Sequence, residues 1–301
     1  MNFFGRNDEI KQLNSVKSLK KSSLVVVIGR RRIGKSALVS AFAKEFKNFY
    51  EFQGVAPRRG ITNITQLKNF AEQLKLNFST PEPILHNWTE AFDQLAKELN
   101  KKPALVFLDE LSWMGKFDPD FPGKLKIIWD TKLSKIQGLM LVLCGSVSAW
   151  IEENILDSTG FVGRVSLTIR LKELELSDSL NFWGSKSSKV SFLERLRFLS
   201  VVGGVPKYLE EYNTAETTEQ NIKRLCFTKG AYLLEDFEKI FTDIFERKSS
   251  SYKKIVQLLT NSRLSPEQLA SKLKIHSSGE LTKSLRELEL SGFIARDYFY
   301  K

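Results

Sequence analysis

Five short apolar runs punctuate the first 170 residues of the chain, and stretches of helical period fill the intervals between them. The runs at residues 23–28, 49–53, 104–108, 139–144 and 165–169 are rich in Val, Ile, Leu and Phe and are bounded by polar or turn-forming residues. Each therefore reads as a strand, most of them buried on both faces. Residues 37–44, 64–76, 88–99 and 123–135 repeat apolar positions at helical spacing, with Trp88, Phe92, Leu95 and Leu99 on one face and Asn87 or Thr89 as the starting cap. Strands alternating with helices predict an α/β fold around a parallel sheet. From residue 173 to 247 the pattern is helical throughout, broken by Val201-Val202-Gly203-Gly204-Val205-Pro206. Residues 248–251, Lys-Ser-Ser-Ser, read as a linker. Beyond it come three short helices: one over 252–260, one opened by Ser265-Pro266, and one opened by Ser278-Gly279 with Leu281, Leu285 and Leu288 facing inward. Gly292 ends the third, and 293–300 reads as one strand of a wing. The expected division is 1–172 for the sheet domain, 173–247 for a helical lid and 248–301 for a winged helix-turn-helix.

Bulk properties narrow the classes. The chain has 301 residues, 42% hydrophobic and 27% charged, which is a globular composition with room for two or three cores. No apolar run approaches the ~20 residues that a membrane span needs, and no signal peptide precedes the first motif. The two cysteines, Cys144 and Cys226, sit in apolar surroundings and read as free thiols, so a reducing, cytoplasmic compartment is expected. His86 and His276 are isolated, and metal-ligand clusters are absent from the sequence. A formal net charge of +11 favours polyanionic partners without naming one.

The chemistry concentrates at the first strand. Gly29-Arg30-Arg31-Arg32-Ile33-Gly34-Lys35-Ser36 has the spacing of a phosphate loop, set between a strand and a helix that begins near Ala37. Its glycines let the backbone curl so that successive N–H groups face one phosphate, and the helix N-terminus adds positive potential. Lys35 is expected at the β- and γ-phosphates and the Ser36 hydroxyl on Mg²⁺. The three arginines are expected to be solvated, with direct phosphate contact the lesser alternative. The third strand ends in Asp109-Glu110, at the edge where open α/β sheets bind ligands. Asp109 is the candidate Mg²⁺ partner beside Ser36, and Glu110 the candidate base for an attacking water.

In order along the chain these features resemble the STAND-like AAA+ ATPases, in particular the archaeal-type and bacterial ATPase group. The resemblance rests on Phe4-Gly5-Arg6 with Glu9, the phosphate loop, Asp109-Glu110, Gly145-Ser146, Gly163-Arg164 and Gly204-x-Pro206. It implies the AAA+ strand order 5-1-4-3-2, ATP and Mg²⁺ as ligands, Arg6 near the adenine and Pro206 against the base. It also implies a polar sensor at Ser146, for which a helix-starting serine is the alternative. Arg164 would stabilise phosphoryl charge in its own site or across a subunit interface, or would simply cover the sheet edge. Most members of the group continue into a nuclease-like C-terminal domain. That domain and the second strand of the wing are expected to lie outside these 301 residues.

The function expected is ATP hydrolysis driving a nucleotide-controlled switch. The alternative is a module that holds nucleotide with negligible turnover. A phosphotransferase is disfavoured because no acceptor pocket is evident. DNA is a candidate partner through the C-terminal helices, where residues 252–301 carry nine basic and five acidic side chains. Lys283 and Arg286 would meet phosphates, whereas Glu280, Glu287 and Glu289 on the same helix oppose them. A homo-oligomer is a further expectation, and no membrane partner is.

Overall fold

The structure is a computed structural model that describes residues 3–146, 148–184, 189–245, 248–275 and 279–297. His276, Ser278 and the end of the expected wing strand at 298–300 lie outside the described residues. The chain forms two compact units, one of residues 1–28 and 34–171, the other of residues 29–33 and 172–301.

The first unit is built on five parallel strands, β1 Ser23–Ile28, β2 Phe49–Gln53, β3 Leu105–Asp109, β4 Met140–Cys144 and β5 Val165–Arg170. Their order is β2-β3-β4-β1-β5, the expected 5-1-4-3-2 read from the other edge. Every residue of β1, β3 and β4 is buried. Central parallel strands have both faces covered, which is why their sequences run apolar without alternation. Around the sheet lie α1 Asn7–Ser18, α2 Lys35–Ala43, α3 Asn63–Phe78, α4 Trp88–Leu99, the short α5 Leu111–Met114, α6 Phe121–Thr131 and the short α7 Ser148–Ile151. Asn87 caps α4 by accepting from the Glu90 N–H, and Trp88, Ala91, Phe92, Leu95 and Leu99 form its buried face. Phe70 from α3 and Phe121 from α6 meet Trp88 edge-on, at centroid separations of 5.4 and 4.8 Å. This aromatic cluster covers the sheet face that carries Leu24, Val26 and Ile28.

The outer strand β2 has an exposed hydrogen-bonding edge, and α3 covers it with side-chain amides. Gln73 accepts from the Gln53 N–H at 2.6 Å and donates to the Gln53 carbonyl at 3.1 Å. Asn69 donates to the same carbonyl and Asn77 to that of Glu51. Just beyond the strand, Gln66 bonds both the N–H and the carbonyl of Val55. These residues are three or four positions apart on one helix face, and they supply the ladder that a further strand would otherwise provide.

In the second unit, α8 Leu176–Asn181, α9 Phe192–Val202, α10 Pro206–Glu210 and α11 Thr218–Ile222 enclose Leu174, Phe198, Leu209, Tyr212 and Leu225. Gly204 stands where a Cβ would come within 2.4 Å of the Leu174 carbonyl oxygen, so this glycine admits a close backbone crossing. The remaining helices are α12 Tyr232–Phe245, α13 Ser249–Asn261, α14 Pro266–Leu273 and α15 Gly279–Leu290. Three expectations change here. Residues 249–251 form the first turn of α13 and not a linker, because Tyr252 and Ile255 are buried and draw the helix back. A single apolar cluster joins Phe241 and Phe245 of α12 to Tyr252, Leu269, Leu281 and Leu288, so the boundary drawn between 247 and 248 cuts through packed side chains. Ser265 caps α14 with a full capping box, as its sequence indicates. Residues 293–297 are not a strand; the wing strand expected over 293–300 is missing from its described part.

Candidate nucleotide site

Strand β1 delivers Gly29 at its C-terminal end, and Gly34 opens α2 with a φ of 92°. Lys35 and Ser36 thereby occupy the first turn of the helix, with Lys35 only 8% exposed and Ser36 exposed. β3 ends beside them. The Ser36 hydroxyl donates to Asp109 Oδ2 at 2.7 Å, and Asp109 Oδ1 accepts from the Glu110 N–H at 2.9 Å. Both carboxylate oxygens of the 5%-exposed Asp109 are thus oriented. A hydroxyl and a carboxylate in contact at the start of a helix suit Mg²⁺, which takes few protein oxygens and keeps its remaining ligands from water and phosphate. The donor set fits that ion.

Glu110 follows in a left-handed conformation, φ 52°, which turns the chain out of the strand into α5. Its Oε2 accepts two bonds from Ser146, one from the N–H at 3.0 Å and one from the hydroxyl at 2.8 Å. Ser146 follows Cys144 and Gly145 at the end of β4 and is 2% exposed. Burial pushes the Glu110 carboxyl above the ordinary glutamate range. The Ser146 bonds pull it partly back, Asp109 adds to the rise, and the Lys35 charge opposes it. Lys35, Ser36, Asp109, Glu110 and Ser146 are therefore brought together, as their motifs suggest. Arg6 precedes α1, is 7% exposed and donates to Glu9 at 3.3 Å.

Arg164 is placed elsewhere. It precedes Val165, which pairs with Leu24 at the start of β1, whereas the loop leaves the far end of that strand. Six residues at about 3.3 Å each separate the two edges. Its guanidinium binds Asp130 through Nε at 2.6 Å and Nη2 at 2.9 Å. That bond, with Lys126 assisting, holds the Asp130 carboxyl down at about 2. A cis role at the loop is thus corrected by the parallel register. The cation that β5 does bring to the loop edge is Arg170, in register with Ile28 and paired with the buried Glu152. Its position inside a strand could have marked it, because the parallel order sends the strand's last residue to that edge.

In the second unit, two loop arginines are ion-paired where solvation is the sequence expectation. Arg30 binds Glu173 at 2.8 Å, and Glu173 also accepts from the Gly204 N–H. Arg32 binds Asp236 of α12 through Nη2 at 2.6 Å and through Nε. Pro206 is the first residue of α10.

The sheet order, the loop at the end of β1 and the paired carboxylates at the end of β3 define a P-loop NTPase of the AAA+ type. Its family follows from direct comparison: the model of an ATPase domain found predominantly in Archaea matches residues 3–212, and the chain belongs to that family. It is 24% identical over 298 residues to an uncharacterised protein of Methanocaldococcus jannaschii, covering 98% of this chain and 62% of that protein, so it spans less than two thirds of that relative's length. Among solved structures, a Walker-type ATPase of Pyrococcus abyssi superposes with a TM-score of 0.71 at 19% identity, covering 98% of this chain and 91% of that one. The ORC1 protein of Aeropyrum pernix, solved in complex with DNA, superposes at 0.51 with 13% identity, over 99% and 80% of the respective chains. At these identities the likeness is one of fold.

Proposed function

We propose that the chain binds ATP with Mg²⁺ at residues 29–37 and hydrolyses its terminal phosphoanhydride, using the cycle as a switch. The observation that carries this is the bond between Ser36 and Asp109 next to the buried Lys35, with a second carboxylate, Glu110, held one residue further on. Ser36 and Asp109 would hold the metal, and Lys35 would bind the β- and γ-phosphates. Mg²⁺, when bound, neutralises phosphate charge and so lowers the cost of displacing the terminal group. Glu110 takes the proton of the attacking water. Its Ser146 bonds both fall on Oε2, which leaves Oε1 to face the water, and its raised proton affinity suits a base. Arg6 and Pro206 are assigned to the adenine side by family resemblance.

Arg164 is assigned to a neighbouring copy, because its place at the opposite sheet edge suits contact with another molecule better than with its own loop. Helices α13–α15 form one packed unit with an excess of basic residues in its segment, and Lys283 and Arg286 are assigned to a polyanion there. The likeness to a DNA-bound ORC1 structure makes DNA the first polyanion to try. The deciding experiment is Mg²⁺-dependent phosphate release from ATP, with and without duplex DNA. Turnover above background that vanishes in Glu110→Gln supports the switch. ATP binding with no turnover under either condition supports a nucleotide-holding module instead.

A further inference from the structure

Within the loop, Gly29, Arg32 and Gly34 have positive φ values, of 153°, 72° and 92°. Two are glycines. Arg32 carries a Cβ and is left-handed, a conformation that side chains disfavour and that persists only where the surroundings hold it. Asp236, on α12, supplies that hold. Its carboxylate is 3% exposed and receives the Arg32 fork, with Nη2 at 2.6 Å and Nε at 3.2 Å. The Tyr208 hydroxyl completes the arrangement, donating to Asp236 Oδ2 at 3.2 Å. Burial, with the Asp236 charge adding to it, pushes the Tyr208 phenol up to about 12, so it remains a donor across the working pH range. Residues 29–33 and Asp236 belong to the same compact unit.

We infer that Asp236 is a positioning residue for the nucleotide loop: by gripping Arg32 it holds the loop's left-handed non-glycine residue and keeps the backbone N–H groups curled for phosphate. Arg32 then serves phosphate binding through its backbone, while its guanidinium is committed to Asp236. The inference rests on the reading of residues 29–36 as an ATP loop. It explains how an arginine can stand at a position where glycine would be the easy choice.

The test compares ATP dissociation constants, by titration with ATP itself, for four proteins: the wild type, Asp236→Ala, Arg32→Gly and the double variant. Asp236→Ala should raise the Kd about tenfold, the factor that corresponds to one unsupported left-handed residue. On the Arg32→Gly background the same change should alter the Kd by less than about twofold, because glycine takes positive φ without help. An unchanged or tighter Kd for Asp236→Ala overturns the inference, the tighter value meaning that Asp236 competes with phosphate for Arg32. A loss that persists on the glycine background also overturns it, since Asp236 would then act on the unit at large. Should Asp236→Ala fail to fold, Arg32→Lys decides. It keeps the charge but loses the fork, so at least a roughly threefold weaker Kd is expected, and an unchanged value overturns the inference. Failure of the ATP-loop reading itself would appear separately, as no binding by the wild type.

Discussion

Ser146 gives both its N–H and its hydroxyl to one carboxylate oxygen of Glu110, at 3.0 and 2.8 Å. The two residues come from the ends of neighbouring strands, β4 and β3, so the sheet itself sets their separation. Hydrogen bonds to the ionised form favour it, and here they work against a burial that favours the neutral acid. Because the folded-state proton affinity remains raised, the group's contribution to stability is complete below the ordinary glutamate pKa. That contribution is lost as pH rises through the folded value. For catalysis the sign is opposite, since the base must be ionised and activity appears as pH rises through the same value. Ser146→Ala should move the acidic limb of kcat/KM to higher pH while leaving ATP affinity nearly unchanged. A limb that stays in place would remove Glu110 as the titrating base. Glu110→Gln should bind ATP and lose turnover by ~10²–10⁴-fold.

Lys35 and Asp109 divide the anion and the metal between them. Lys35→Ala should abolish measurable ATP binding in a titration, and retained binding would refute the loop assignment. Asp109→Asn keeps the Ser36 bond sterically possible but removes the charge next to the metal position. It should raise the Mg²⁺ concentration for half-maximal turnover at least about tenfold, the scale of losing a charged metal partner. Equal Mg²⁺ dependence in the two proteins would place the metal elsewhere.

The amide row on α3 makes a prediction about stability rather than catalysis. Gln73 makes two bonds to the Gln53 backbone and a third to the Asn69 carbonyl. Gln73→Ala leaves an edge N–H to water, so its cost should be about 1 kcal/mol and not the several of a core deletion. Gln73→Leu should cost the same or more and should also make the protein more prone to associate, since it replaces the covering amide with an apolar surface. Chemical denaturation and light scattering measure the two effects. A Gln73→Leu protein as stable and as monodisperse as the wild type would mean that the row does not protect the edge.

The strand order was legible only through the family resemblance, whereas the strands and the Ser36, Asp109 and Glu110 constellation each leave a local signal: a β-branched run, a glycine spacing, carboxylates at the end of a strand. Long-range ion pairs leave none. Arg32 and Asp236 lie 204 positions apart, and Arg30 and Glu173 lie 143 apart. A run of three arginines therefore reads as a solvated basic turn until its partners are placed. The amides of α3 fall between the apolar positions of a helical run and carry no signal of their own, because their target, the edge of β2, depends on the sheet order. Ser249 to Ser251 read as a linker from composition, yet burial of Tyr252 and Ile255 outweighs the poor helix preference of serine. Of the three places that the sequence leaves open for Arg164, the parallel register bears on one, its own site. The residue before a parallel strand lies at the sheet edge opposite the loop.

That placement makes the Arg164 assignment testable. Its side chain is bound to Asp130, and both are about 30% exposed, so the pair can be opened by a competing anion at modest cost. If Arg164 serves a neighbouring copy, turnover per protomer should rise with protein concentration, and Arg164→Ala should flatten that rise without changing the rate at high dilution. Loss of the arginine should also let the Asp130 carboxyl climb from about 2 towards its ordinary value, which carboxyl-detected NMR titration would read as a check that the intended contact was removed. A mixture of Arg164→Ala and Glu110→Gln proteins supplies one interface with an intact base and an intact arginine. Such a mixture should recover part of the concentration-dependent turnover that neither variant has alone. A rate independent of concentration, together with an inactive mixture, would leave Arg164 as a partner of Asp130 only and would remove the argument for a working oligomer.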